Sequence, residues 1–300
     1  MWNLSVMSVR GIYHGNRIGT ISDETWGYDL MNKEYMGPPE EERTDKPAPV
    51  LKVGIAAAAA KKKKSVLIIN DDNDIYFEDD QSVPTLMSAF KNMGYIVINE
   101  KARDTSYSTW KKYAIVVWSS GDDYSAINDI KSRRMLVDHV TNGGHLILES
   151  GNIAAWCKEF GGETVLNREF REKIIHATEN WVYHDVGDLT LKNKHPIATT
   201  PNALPKTIAF TPTNPGDNSG DANAVRISSD ATGIYNWSYV AYEGNLIQKK
   251  IIETSYGLIV YESKKKNGGR IVYYAFDIDD IEDPDIQVKL IQNTEKWLRK

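Results

Sequence analysis

The sequence has little cysteine and no long apolar run. Cys157 is the only cysteine among 300 residues, so no intrachain disulfide can form and no cysteine-based zinc site is expected. No apolar stretch approaches the roughly 20 residues that a membrane-spanning helix needs. The first residues also lack the basic and apolar regions of a signal peptide. These absences predict a chain with no membrane span and no leader of its own.

Basic residues are fewer than acidic ones. The chain has 36 Lys and Arg against 41 Asp and Glu, for a net charge of −5, which argues against general nucleic-acid binding. The basic runs Lys61–Lys64 and Lys264–Lys266 are expected to be solvated. No glycine-rich phosphate loop is present, so no nucleotide cofactor is expected. The hydrophobic fraction of 41% is that of a folded globular protein.

Four apolar runs share one ending, because each finishes in acidic or small polar residues. The runs start at Ser65, Ala114, His145 and Arg270. In an open parallel sheet the carboxyl ends of the strands meet along one crevice, where ligands bind. The sequence therefore predicts a ligand crevice lined by Asp71, Asp72, Asp122, Asp123, Glu149 and Asp277.

The order of elements predicts an α/β fold over residues 65–300. Apolar runs alternate with helical patterns, which indicates crossover units and a flavodoxin-like parallel sheet flanked by helices. One such helix is expected from Ser82, as its cap, to Gly94, and another at about 125–141. A β-rich insertion is expected at about 163–262. Residues 1–64 are proline-rich and then low in complexity, which predicts an extended N-terminal arm and linker.

The residues also resemble a known family, the class I glutamine amidotransferase-like superfamily in its ThuA-like, secreted-protein-associated branch. The resemblance rests on the order and spacing of several segments across roughly 65–300. These are Leu67–Asn73 with Gly94-Tyr95, Tyr113–Asp123 with Asn142-Gly-Gly, Lys194–Ile197 with Leu204-Pro205, and Gly269–Asp277 with the terminal helix. The resemblance implies a secreted or cell-surface context, beside peptidases and carbohydrate-active proteins.

The chain departs from that family at one decisive turn. Active members of the wider fold carry a nucleophilic cysteine after the strand equivalent to 145–149, and here the turn reads Glu149-Ser150-Gly151-Asn152. Cys157 lies further on, beside residues that suggest a buried helix face. Ser150 could replace the cysteine only with an adjacent base. The catalytic candidates are Glu149, Ser150, His184 and His195. His145 opens its strand and is expected at the opposite edge of the sheet.

The acidic strand ends admit two interpretations. Calcium and magnesium prefer clustered carboxylate oxygens, so Asp71, Asp72 and Asp74 are candidate ligands for Ca²⁺ or Mg²⁺. Alternatively, these acids are solvated and cap helix N-termini, where negative charge is favourable. Asp122-Asp123, just before the helix predicted near Ser125, fits that second interpretation.

Three functions remain open at this point. The first is a non-catalytic amidotransferase-like binding or assembly module of a secreted or surface protein. It would contact a protein partner or a second copy through residues 1–64. The second is a hydrolase that acts on an amide or sugar-derived substrate through the 149–152 turn. The third is a structural subunit of a filament or layer that uses the N-terminal arm. An enzymatic role is the less expected one, because the turn lacks its usual nucleophile.

Overall fold

The computed structural model divides the chain into two compact units, Met1–Ala58 and Ala59–Lys300. In the first unit, strands β1 (Gly27–Asp29) and β2 (Glu34–Met36) form an antiparallel pair. The other predictions for the arm and linker lie outside the described residues. The structure describes residues 27–29, 34–36, 64–71, 81–121, 123, 126–154, 165–178, 186–211, 222–238 and 254–300.

A mixed sheet with parallel central strands forms the second unit. The parallel strands lie side by side in the order β4-β3-β5-β6-β12. Their bounds are β3 (Ser65–Asn70), β4 (Ile96–Lys101), β5 (Ile115–Ser119), β6 (Leu146–Glu149) and β12 (Arg270–Tyr274). The predicted apolar runs therefore form the centre of an α/β fold.

Strands from the predicted β-rich segment extend the same sheet. Beyond β12 the order continues β11-β10-β7-β8, with every pair antiparallel, and β9 pairs with β11. Their bounds are β7 (Leu189–Leu191), β8 (Thr207–Ile208), β9 (Val225–Arg226), β10 (Thr232–Trp237) and β11 (Ser255–Glu262).

Helices cover both faces of the sheet. The main helices are α1 (Ser82–Asn92), α2 (Tyr107–Trp110), α3 (Ile130–Thr141), α4 (Val165–Phe170), α5 (Pro196–Thr199) and α6 (Pro284–Leu298). Side-chain caps mark the start of α3, α5 and α6. The prediction that α3 starts near 125 is wrong. The carboxylate of Asp129 accepts the Ser132 N–H at 2.9 Å, and this cap sets the start. Within the described ranges, no helix combines the length and apolar character needed to cross a bilayer.

Alternate residues of each central strand enter different cores. Val66 and Ile68 pack with Phe90 of α1 and Leu290 of α6 in one core. Leu67 and Ile69 belong to a second core on the other face, together with Leu136 of α3 and Phe170 of α4. Both faces are therefore buried, which explains why the strands are continuous apolar runs and not alternating ones.

The parallel strands give the sheet a carboxyl edge and an amino edge. The carboxyl edge lies where β3, β5, β6 and β12 end, and the amino edge lies where these strands begin. The order of strands reverses at β3, whose neighbours are β4 on one side and β5 on the other. In open α/β sheets, ligands bind outside the carboxyl ends at such a reversal. Asp71 follows β3 at this point, and its N–H donates to Ser119 O at 2.8 Å.

Two glycines allow a matched test of packing at helix ends. Gly94 and Gly143 have φ angles of +77° and +88°, so alanine at either position costs about 1–2 kcal/mol of backbone strain. An added Cβ meets nothing within 4 Å at Gly94, but it meets Asn267 O at 2.4 Å at Gly143. We expect Gly143→Ala to lower the free energy of unfolding clearly more than Gly94→Ala in urea titrations. Equal losses would contradict this packing.

Candidate functional site

Glu149 occupies the centre of the carboxyl edge. Its side chain is fully buried. Oε2 accepts the Ser119 hydroxyl at 2.5 Å, and Oε1 accepts the Ser82 hydroxyl at 2.7 Å and the Ile278 N–H at 3.0 Å. A buried carboxylate is costly unless hydrogen-bond donors satisfy it. These donors come from β5, from the first residue of α1 and from the turn after β12, so Glu149 joins three elements.

Ser82 does not act as the predicted helix cap. Gln81 takes the cap position of α1 without a side-chain bond of its own, and its N–H donates to Asp279 Oδ2 at 3.0 Å. The Ser82 hydroxyl lies 2.7 Å from Glu149 Oε1 and 2.6 Å from Asp279 Oδ1. The correction has a physical reason, since Ser82 is the first helical residue, one position after the cap, and its hydroxyl donates to the buried Glu149 carboxyl group.

Ser82 lies between two carboxyl groups at this edge. Oxygens of Glu149 and Asp279 are both within hydrogen-bond distance of Ser82 Oγ. A serine hydroxyl carries one proton and can donate it along one direction, so it donates to one of the two carboxyl groups at a time. Ser82 thus links Glu149 to the turn that contains Asp279.

Asp71 lies at the strand reversal and is also largely buried. Its Oδ2 accepts the Ile127 N–H at 2.9 Å, the Trp118 Nε1–H at 3.0 Å and the Ser120 hydroxyl at 3.3 Å. Burial raises the pKa of Asp71 to about 6, despite these donors, and the charge of Asp123 acts in the same direction. Desolvation of the charged form is the dominant cause.

The Ser150 turn is closed by its own hydrogen bonds. Ser150 is fully buried, and its N–H donates to Tyr274 O at 3.2 Å. Its Oγ accepts the Asn152 N–H at 3.1 Å, which is the local bond of a serine turn. The Asn152 side chain donates to Asp123 O at 3.3 Å. The Ser150 hydroxyl therefore stabilises the turn.

Histidine is the residue type that a serine nucleophile would require at this edge. His145 immediately precedes β6, and His139 of α3 lies beside it, with Nε2 of His139 3.3 Å from His145 O. His176 stacks on Tyr261, which pairs with Ile271 at the start of β12. Both contacts are at the amino edge, opposite to Ser150.

His195 also lies at the amino edge. Its ring packs edge-on against Trp297 at 5.2 Å between centroids, and Trp297 O accepts a bond from Arg270, the first residue of β12. His195 caps α5 by accepting the Ile197 N–H at Nδ1 (3.2 Å), and burial lowers its pKa to about 4. The structure therefore separates Ser150 from His195, and no described imidazole reaches the carboxyl edge.

The remaining candidates have different outcomes. Asp277 is buried just after β12, at the carboxyl edge. Asp123 is buried too and does not cap a helix, because α3 begins only at Ile130. Among the described residues, no group of three or more acids, histidines or cysteines could hold a metal ion. The candidates Asp72, Asp74, Asp122, Cys157 and His184 lie outside the described residues.

The fold and this edge together define an α/β domain with buried acids at the ends of its parallel strands. No protein-family profile and no curated protein matches the chain. Solved structures of ThuA-like proteins are similar to it. One, from Bacteroides uniformis ATCC 8492, is 12% identical, covers 82% of this chain and 95% of its own, and has a TM-score of 0.47. Another, from Parabacteroides merdae ATCC 43184, is 16% identical, with 79% and 90% covered and a TM-score of 0.45.

The raised pKa of Asp71 predicts a pH-dependent stability. The pKa of Asp71 is about 6 in the folded state, above its ordinary value of 3.8, so the folded protein binds this proton more tightly than the unfolded chain does. The stability that the proton contributes is fully present below pH 3.8 and is lost as the pH rises through 6. The difference corresponds to about 3 kcal/mol. Asp71→Asn keeps an acceptor oxygen and cannot titrate. We expect the Asp71→Asn variant to gain stability relative to the native protein between pH 4 and 7 in urea unfolding.

An alanine variant separates the charge of Asp71 from its role as acceptor. Asp71→Ala leaves the buried donors of Trp118 and Ile127 without this partner, which costs about 1–3 kcal/mol for each unsatisfied group. Asp71→Ala should therefore be less stable than Asp71→Asn at every pH. If the free energy of unfolding varied with pH in the same way in the native protein and in Asp71→Asn, the raised pKa of Asp71 would be contradicted.

Proposed function

We propose that this chain is a non-catalytic binding module of the amidotransferase-like type, built on a flavodoxin-like sheet. The parallel strands, counted along the chain, lie in the order 2-1-3-4-5, which is the flavodoxin-like arrangement. One observation carries the proposal. At the turn where the resembled enzymes hold their nucleophile, Glu149 and Ser150 are fully buried and form hydrogen bonds inside the protein.

The chemistry of a hydrolase disfavours the alternative. A serine nucleophile needs a base within hydrogen-bond reach and a third group that orients the base. The Ser150 hydroxyl accepts a backbone N–H, and the described imidazoles lie at the other edge. Glu149 is held by Ser82, Ser119 and Ile278, which leaves it poorly suited to take a proton from Ser150.

The character of the carboxyl edge indicates which ligands it favours. Buried acids from four different strands or turns converge there, namely Asp71, Asp123, Glu149 and Asp277. Such an edge repels anions, whereas a cation or a molecule rich in hydroxyl donors is compatible with it. We assign to it a neutral or cationic polar ligand that binds without covalent chemistry. Ca²⁺ and Mg²⁺ remain within this class.

A hydrolysis assay with two variants tests the non-catalytic assignment. The full chain, Ser150→Ala and Cys157→Ala are compared for glutamine hydrolysis and for cleavage of p-nitrophenyl acetate. We expect all three proteins to give the same background rate, because neither side chain is a nucleophile. Circular dichroism shows whether the variants are folded. A rate above background that is lost in either folded variant would overturn the proposal.

We also propose that residues 1–64 mediate assembly, in a secreted or surface setting. Support for this comes from the sequence of these residues, which is proline-rich and then low in complexity. The secreted setting is supported by the family resemblance. An extended arm that adds a strand to a neighbour is one known route to such assemblies. The same arm would serve a filament or layer.

A truncated chain that starts at Ser65 tests the assembly role. The described core residues of the two clusters, from Val66 to Leu298, all remain in this fragment, so we expect it to fold. Static light scattering should then report a larger particle for the full chain than for the fragment. Equal particle sizes, with the full chain a monomer, would exclude assembly through the arm.

A further inference from the structure

We propose that the amino edge of the sheet carries a second binding site, for a small anionic molecule with an aromatic ring. A cleft of about 520 Å³ opens there, a volume within the usual range of small-molecule sites. It is lined by α2 with the turn that follows it, by the segment between α3 and β6, and by Arg299. The site lies opposite to the carboxyl edge and does not depend on the proposed function.

The charged side chains that line the cleft are both basic. They are Lys111 and Arg299, and the lining includes no Asp or Glu, although Glu295 pairs with Arg299 from outside the lining. This is notable in a chain of net charge −5. A concave site lined by one sign of charge concentrates ligands of the opposite sign.

Lys111 and Arg299 retain donors that the described protein does not use. Lys111 Nζ lies 5.0 Å from the centre of the Tyr107 ring and has no ion-pair partner among the described residues. Arg299 uses only Nη1, which donates to Tyr95 Oη at 3.4 Å and to Glu295 at 3.2 Å. Its Nε and Nη2 make no hydrogen bond within the described residues, so a planar edge of the guanidinium remains for a carboxylate or phosphate.

The remaining lining favours a ring next to the anionic group. The half-buried rings of Tyr107 and Tyr113 line the cleft. Tyr107 is fixed in place, because its hydroxyl donates to Asp138 O at 3.2 Å and accepts from Asn142 Nδ2 at 3.0 Å. A fixed aromatic wall can stack against a ring at little entropic cost.

Gly143 and Gly144 form another part of the wall, and the groups packed against this part hold the cleft in one conformation. A Cβ at Gly144 would lie 2.2 Å from the His139 ring. That ring packs edge-on against Trp110 at 5.5 Å between centroids. Trp110 is itself fully buried and donates from Nε1 to Thr105 Oγ1 at 2.8 Å. The floor of the cleft is therefore a rigid, packed layer, as a preformed site requires.

Calorimetric titration of the full chain tests the site with a set of matched probes. Phenyl phosphate and benzoate carry both an anionic group and an aromatic ring. Inorganic phosphate lacks the ring, and benzyl alcohol lacks the charge. Benzamidine has the ring but carries a positive charge. We expect phenyl phosphate or benzoate, or both, to bind more tightly than the other three. The order of these two shows whether phosphate or carboxylate is the preferred group. Equal binding of benzyl alcohol or inorganic phosphate, or no binding of either anion, would overturn the proposal.

Two variants and a neighbouring control locate the site. Lys111→Gln and Arg299→Gln each remove a charged donor and should weaken binding of the better probe by about tenfold. Lys112→Gln removes an equally exposed lysine that does not line the cleft, and its binding should match the native chain. Because Lys111 is exposed, Lys111→Gln should fold normally. Equal losses in Lys111→Gln and Lys112→Gln would show general charge attraction and would refute the site.

Discussion

The buried carboxyl group of Glu149 is the constraint on which the carboxyl edge depends. It lies at zero exposure at the end of β6, and its oxygens accept from Ser119, Ser82 and the Ile278 N–H. An unsatisfied acceptor at this depth would cost more than any one of these bonds contributes. The ends of β5 and β6, the start of α1 and the turn after β12 are therefore held in one arrangement, although they are far apart in the sequence.

The same interaction supports the proposal that this edge is non-catalytic. A catalytic acid or nucleophile must be able to exchange its hydrogen bonds with a substrate, and it gains from a pKa near the working pH. Asp71 meets the second condition, with a pKa of about 6, but its oxygen already accepts three donors. The Ser150 hydroxyl closes its own turn. The hydrogen bonds of Asp71 and Ser150 are therefore made within the ends of the strands and the turns that follow them.

Local patterns in the sequence predicted the framework, and contacts between distant residues decided the site. The strand at 65–70 follows from its apolar residues, and the ends of α1 and α3 follow from glycines that adopt a positive φ. A short window of sequence reveals both signals. Acids after parallel strands were foreseeable for the same reason. The role of Ser82 was not, because its partner Asp279 lies 197 residues away. A serine before a helical pattern is typical of a helix cap, and the sequence therefore predicts that role for Ser82. Only the fold shows that the Ser82 hydroxyl contacts the carboxyl groups of Glu149 and Asp279.

The two edges of the sheet differ in what their charges are used for. At the carboxyl edge, acids are buried, and the ends of strands and the turns after them supply hydrogen-bond donors to these acids. At the amino edge, Lys111 and Arg299 remain at the surface with donors that no described residue takes. Cationic donors that remain unused around a concave wall do little for stability, but they attract anions from solution. The division suggests that this fold can separate the residues that hold its sheet together from the residues that meet a ligand.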